Sequence, residues 1–409
     1  MSFESGLSGL AAASQDLDVI GNNVANSGTV GFKQSQIQFS DVYANSLSGA
    51  GASQIGIGTK VADVAQQFTQ GNITATSNPL DVAINGGGFF RMDNNGSVSF
   101  TRNGQFQLNN SGYIVDANGD KLTGYTANSN GALSTGAPAD LNINTASLPP
   151  KMTSTVNALL NLNAASTVPV NSFNINDPAS YNNATSVSVY DSLGNSHSLQ
   201  TFYVTTGTGS WNVYATSDGV PIGYTPPAAP VPIGTLNFST SGTVTSGSPM
   251  AVSMPVGTGA ATPLNVSLNY AGTTQYGAAF SVNSLQQNGY TSGQLSNFSI
   301  GSDGKINGSY TNGQTATLGQ VVLANFTDPN GLQSMGNNQW AATAASGPPL
   351  VGAPGSASLG VLQSSATESS NVDLTTELVN MITAQRNYQA NAQTIKTEDA
   401  LTQTLINLR

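Results

Sequence analysis

The C-terminal stretch constrains this chain more than any other. In "ELVNMITAQRNYQANAQTIKTEDALTQTLINLR", Leu378, Met381, Gln385, Tyr388, Ala392, Ile395, Asp399, Thr402 and Ile406 stand three and four residues apart in alternation. That spacing keeps one face of a helix on a heptad seam. Ile382, Leu401, Leu405 and Leu408 widen the seam into the broader face of a packed helix. No Gly or Pro follows Gly360, so nothing interrupts the helix. Ser370, Asn371 and Asp373 are its candidate N-caps, with Asp373 and Glu377 at the end of the dipole that favours acids. At the other terminus Phe3, Leu7, Leu10, Ser14, Leu17, Gly21 and Val24 keep the same alternation. Both ends are therefore expected to be helices that pack lengthwise.

Such a seam serves either as the core of one molecule or as a surface shared between molecules. Two thin helices projecting from a larger body lack the neighbours to bury both flanks. The polar seam positions Gln385 and Asp399 suit a shared, partly wet interface better than a dry core. The ends are thus expected to order fully where many copies pack together, as coupled folding and binding.

The middle of the chain follows a different pattern. Asn-Gly pairs recur at Asn85-Gly86, Asn95-Gly96, Asn103-Gly104, Asn118-Gly119, Asn288-Gly289, Asn307-Gly308, Asn312-Gly313 and Asn330-Gly331. Tight hairpin turns need positive φ at their centre, which these residues tolerate best. Between them lie β-rich runs such as "GSVSFTR", "SVSVYD", "SLQTFYV", "WNVYA", "LNVSLNY" and "QVVLANF", which predict antiparallel strands. Pro149-Pro150 marks a boundary, and the strands and Pro-rich loop beyond it read as an inserted domain. The expected division is 1–25 with 371–409 as a terminal helical domain, 26–70 with 356–370 as linkers, 71–145 with 288–355 as a discontinuous β domain, and 146–287 as the inserted outer β domain. "KQSQIQFSDVY" fits a strand or a short helix equally well.

The composition excludes several functions. Charged residues make up 7% of the chain, against about 25% in ordinary domains, so its surfaces are expected to be uncharged and hydrogen-bonding. Ten basic residues against twenty acidic ones argue against nucleic acid, which needs clustered cations. There is no cysteine, which removes disulfides and thiolate metal sites and suits an oxidising exterior. No apolar run approaches a membrane span. The N-terminus shows neither the basic nor the apolar region of a cleaved secretory signal, so export is expected to follow another route.

No active site is legible in the residues. A lone histidine, His197, rules out multi-histidine metal sites and reads as a residue on a hairpin surface. "DANGD" lacks most ligands of a calcium loop and reads as a turn. "INGGGFFRM" lacks phosphate-loop spacing and reads as close backbone packing. Nothing singles out a carboxylate pair. No catalytic residue, metal or cofactor is expected.

At this point the residues resemble a known family. "LDVIGNNVANSGTVGFK" and "SNVDLTTELVNMITAQRNYQANAQTIKTEDALTQTLINLR" resemble the two terminal signatures of bacterial flagellar rod and hook axial proteins. "NPLDVAINGGGFFRM", "TRNGQFQLNNSGYIVDANGDKLTGY" and the stretch from Asn288 to Trp340 resemble the hook branch, as does the inserted domain. Thr367 departs from the family, which commonly has an apolar residue there. The resemblance implies a mainly β fold with terminal α-helices in a discontinuous multi-domain axial subunit. Its N- and C-terminal helices would pair in a coiled-coil-like inner layer, with β-rich outer domains, one inserted in the other. It implies a non-catalytic subunit that polymerises into a curved hollow tube linking rod to filament and transmitting torque as a universal joint. The implied assembly residues are Leu7, Leu10, Leu17, Ile20, Asn22, Asn23, Asn26, Leu378, Met381, Ile382, Tyr388, Ala392, Ile395, Leu405 and Leu408. The implied partners are the chain itself, the distal rod protein, the hook cap, the hook–filament junction protein and the flagellar type III export apparatus, without nucleic acid or membrane insertion. The implied location is the extracellular hook and basal body. Two other readings compete: a distal rod or other axial component, and a secreted β-rich carbohydrate-active enzyme or adhesin. The last leaves the seam helices unexplained.

Overall fold

The computed structural model describes residues 3–42, 56–128, 131–223 and 229–407. They divide into two compact units, one of residues 1–145, 297–309 and 315–409, the other of residues 146–296 and 310–314.

The first unit carries both terminal helices, α1 (Phe3–Ala25) and α2 (Leu374–Asn407). At 1.5 Å per residue they run about 35 and 51 Å. Asp373 caps α2: its Oδ1 accepts from Thr375 N at 2.9 Å and Thr376 N at 3.3 Å. Within "KQSQIQFSDVY" residues Ser35–Val42 form a strand, and Tyr43 lies outside the described residues. β1 (Ser35–Val42) pairs antiparallel with β2 (Gly58–Gln66) in a two-stranded ribbon. Just past β2, Phe68 meets Phe89 and Trp340 edge to face at 5.4 and 5.5 Å, and Trp340 Nε1 donates to Gln66 Oε1 at 2.5 Å. The ribbon is thereby fastened to an aromatic core of Phe89, Phe100, Phe326 and Trp340.

That core lies on a sheet whose neighbours run Thr315–Val321, Lys121–Thr126, Phe89–Asn94, Ser97–Thr101, Gln339–Ala341 and Gln333–Gly336. Three of the eight Asn-Gly pairs form the hairpin turns expected of them, at 95–96, 118–119 and 312–313, with Asn95 and Gly96 both at positive φ between Phe89–Asn94 and Ser97–Thr101. Asn307-Gly308 instead lies inside strand Lys305–Tyr310 and Asn330-Gly331 in a 3-10 turn. "INGGGFF" brings backbones together, since a Cβ on Gly86 would stand 2.9 Å from Gly360 Cα. Thr367, buried, hydrogen-bonds Thr74 between hydroxyls at 3.2 Å, so the polar residue is satisfied.

The second unit is a sandwich. One sheet runs Asn183–Tyr190, Ser196–Gly207, Ser210–Ser217, Gly234–Phe238 and Val244–Ser246, all antiparallel. The other is not purely antiparallel as expected. Its strand Thr155–Asn163 pairs parallel with Leu264–Asn269 and Thr274–Tyr276, and antiparallel with Ser281–Gln287. Parallel pairing needs a long crossover, and the whole first sheet supplies it, a long-range event that local pattern does not carry. Trp211, Tyr203, Val213 and Leu236 from one sheet close on Leu160, Leu162, Val266 and Tyr270 from the other. His197, expected at the surface, is buried at 7% exposure.

Candidate assembly surface

The helices pair within the chain through small and polar residues. Gly6, Gly9, Ala13, Ile20 and Asn23 stand on one seam of α1, with Asp16 filling the remaining heptad interval. All but Gly9 and Asp16 are buried. The helices run antiparallel. Asn23 Nδ2 donates to Glu377 Oε2 at 3.3 Å, while a Cβ on Gly9 would fall 2.8 Å from Asn391 Oδ1 and one on Gly6 3.2 Å from Ile395 Cγ1. Glu377, Ala384 and Asn391 recur every seven residues on the facing side, and Glu377 and Ala384 are buried. Only a side chain of one hydrogen lets the helices approach this closely.

Two polar nodes set the pair on the body. In the first, Asn23 Oδ1 accepts from Ser35 N at 2.9 Å and Asn23 Nδ2 donates to Ser35 O at 2.8 Å. Gln34 Nε2 donates to Glu377 Oε1 at 2.7 Å, and Gln34 N to Asn371 Oδ1 at 2.7 Å. Asn371 Nδ2 in turn donates to Gln67 O at 2.7 Å. Asn371, expected as a helix cap, instead bridges Gln34 and Gln67 at the open end of the ribbon. Burial, and then the Glu377 carboxylate, push Asp16 above the usual carboxylate range. In the second node, Glu368 takes Lys33 Nζ on Oε1 at 2.6 Å and Arg102 on Oε2 at 3.0 Å, all of them buried. Lys33 Nζ also donates to Thr69 O at 2.7 Å, and Gly71 N to Glu368 Oε1 at 2.9 Å.

One flank of the pair lies on the ribbon. There Thr59 N donates to Ser8 Oγ at 3.3 Å. A cleft of about 630 Å³ remains between helices and ribbon, lined by Gly9, Ala12, Phe39, Thr59 and Asn391 among others. The apolar stripe read from the sequence faces elsewhere. Leu7, Leu10 and Leu17 stand one position on from the packed seam of α1, as Leu378 and Ala392 do from that of α2. One position is a turn of about 100°, taken in the same sense about each helix. Because the helices are antiparallel, both stripes come to the same flank, opposite the ribbon. Leu7 is 51% exposed, Leu378 44% and Ile382 52%.

The expected residues thus separate. Leu7, Leu378, Ile382 and Tyr388 are exposed; Leu10, Leu17, Met381, Ala392 and Ile395 are half-buried. Ile20 and Asn23 belong to the packed seam. Asn22 and Asn26 close the end of α1, Asn26 Nδ2 donating to Asn22 O at 3.0 Å. The side chain of Leu405 and all of Leu408 lie outside the described residues. Gly6, Gly9, Ala13, Ala384 and Asn391 were not singled out by the sequence reading. Their signal is a heptad of small residues, which a search for apolar bulk passes over.

Among the described residues no helix is long and apolar enough to cross a membrane, and no group of three or more acidic or histidine side chains is placed to hold a metal ion.

Comparison with known proteins agrees along the chain. The family described as flagella basal body rod protein matches residues 3–33, and the flagellar basal body rod FlgEFG protein C-terminal family matches 363–408. The flagellar hook protein FlgE/F/G D1 domain matches 83–191, and the flagellar basal body protein FlaE D2 domain 161–290. The flagellar hook protein FlgE of Salmonella typhimurium strain LT2 is 44% identical over 415 residues, and that of Escherichia coli K12 43% over 417, each alignment covering all of both chains. A crystal structure of the Helicobacter pylori flagellar hook protein FlgE2 matches 72% of this chain and 100% of its own, with a TM-score of 0.57 at 14% identity, a likeness of fold. The chain belongs to the flagellar hook protein FlgE family, structural subunits of the hook and not enzymes.

Proposed function

We propose that the bare flank of the α1–α2 pair is the surface on which copies of this chain join into the hook's hollow tube. One observation carries the reading: the pair packs internally mainly through small and polar residues, while Leu7, Leu378 and Ile382 stand exposed on one flank. Burying such a side chain contributes about 1.5–3 kcal/mol, so a few of them shared between neighbours stabilise a polymer without being required by the monomer. The half-buried and exposed stripe residues Leu7, Leu10, Leu17, Leu378, Met381, Ile382, Tyr388 and Ala392 are the contact residues, while Ile395 packs against Gly6 within the pair. Ile406, exposed on α2 beyond the reach of α1, extends the surface along the tube. The helices form its inner layer, and the β units lie outside.

The other partners in this reading are the distal rod protein, the hook cap, the hook–filament junction protein and the flagellar type III export apparatus. The subunit passes through that apparatus and is placed outside the cell. The tube acts as a flexible joint that passes torque from rod to filament.

The paired substitution Leu7→Asn and Ile382→Asn tests the reading. Helical content and melting temperature should stay close to those of the parent, while sedimentation and electron microscopy should show no polymer. Normal polymers from the doubly substituted chain would overturn it.

A further inference from the structure

His197 is the chain's one histidine, and two carboxylates enclose it. At the start of Ser196–Gly207, its Nδ1 lies 2.7 Å from Asp218 Oδ2 and its Nε2 3.3 Å from Asp191 Oδ2. An ionised carboxylate only accepts hydrogen bonds. Both contacts are therefore satisfied only when both ring nitrogens carry protons. A neutral ring would turn one lone pair toward a carboxylate.

Asp191 connects this ring to the opposite sheet. Its side chain has no exposure, and it accepts from Leu193 N at 2.8 Å, Asn195 N at 2.9 Å and Thr258 Oγ1 at 2.6 Å. Thr258 stands in the loop between Met250–Met254 and Leu264–Asn269, on the other side of the sandwich. Ala261 N, from the same loop, donates to Ser192 Oγ at 2.8 Å. The turn at 191–195 and the loop at 255–263 thus join the two sheets at one end. The charged groups facing the ring are Asp191 from that turn and Asp218 from the turn after Ser210–Ser217; the loop brings none.

We propose that His197 is a proton-operated brace of the second unit, holding Asp191 and the junction of the two sheets while the imidazole is charged, and loosening that junction when its proton leaves. The electrostatics have the matching sign. Burial works to lower the His197 value, but the hydrogen bonds to Asp218 and Asp191 outweigh it and hold the ring above the usual 6.5. Burial likewise works to raise Asp191, and the hydrogen bonds from Thr258, Asn195 and His197 bring it well below the carboxylate range. A raised histidine stabilises the fold fully below the unfolded value, near pH 6.5, and the contribution fades as pH climbs through the folded one.

Because the ring is unique in the chain, nuclear magnetic resonance of its nitrogens on the full-length monomer reads its charge directly between about pH 6 and 10. Amide exchange at Leu193, Asn195 and Ala261 is followed in the same samples, with Val213 in the sandwich core correcting for the intrinsic rise with pH. Both nitrogens should be protonated near pH 7, and the three amides should open about tenfold more for each pH unit by which the ring's value exceeds 6.5. His197→Gln should remove this pH response. Asp218→Asn should move it to lower pH while leaving Asp191 in place. A neutral ring near pH 7, unchanged exchange through the titration, or an unaltered response in His197→Gln would each overturn the proposal.

Discussion

Glu368 shows how a single residue can hold distant segments of this chain together. It takes a lysine from just after α1 and an arginine from the sheet on one buried carboxylate, and it precedes α2 by a few residues. Taking three charges out of water is costly, and their attraction offsets that cost only when the set is complete. Glu368→Ala would leave two buried cations and should destabilise the first unit by about 3–5 kcal/mol, seen as a lower urea midpoint. Replacing Lys33, Arg102 and Glu368 together by Met, Met and Leu should recover most of that loss. Asn23→Ala should cost about 1–3 kcal/mol, because it strands both backbone groups of Ser35, and a thermal melt would register it. Neither role was legible in the residues alone: nothing marks Lys33 among the ten basic residues, and the family resemblance marks Asn23 for assembly, not for holding Ser35. Their partners lie 335 and 12 residues away.

At the scale of elements, helix existence was legible and helix facing was not. The three-and-four alternation predicted helices at both ends, and α1 and α2 are there. The seam that joins them lies one position from the stripe that the alternation marks, because close antiparallel packing selects glycine and alanine over leucine. Gly9→Leu should therefore damage the pair. Its side chain must displace Asn391, and overpacking of this kind costs roughly 1–3 kcal/mol, so far-UV circular dichroism should show earlier melting of the helices. The ambiguity of "KQSQIQFSDVY" had a similar source. Alternation alone allowed strand or helix there, and β2 as a partner decides for strand.

For the whole molecule, accessibility follows from the same arrangement. Arg386 and Lys396 are exposed on α2, whereas Lys33 is buried under Glu368. Brief trypsin treatment of the monomer should cut after Lys396 and Arg386 well before Lys33, with mass spectrometry of the fragments as the readout; early cleavage at Lys33 would contradict the triad. Low charge has its own consequence. With 7% charged residues, outer surfaces that slide as a tube bends would exchange hydrogen bonds among near-equivalent partners at small net cost. Fixed ion pairs, which salt screens, would favour one register. The curvature of assembled hooks should thus change little with ionic strength, and straightening on modest salt addition with subunits still assembled would refute this.

The sequence alone determined the features that depend on near neighbours: helices at the ends, hairpins at three of the Asn-Gly pairs, strands where β-rich runs alternate, and the absence of a recognisable active-site motif. These are set by backbone sterics and local periodicity within a few residues. The tertiary structure alone decided which face of each helix is covered, that Thr155–Asn163 runs parallel to two neighbours, that Lys33, Arg102 and Glu368 meet, and that His197 is enclosed by two aspartates. Each of these joins groups from separate segments of the chain, and the energy of such a contact depends on geometry and burial that no local window contains.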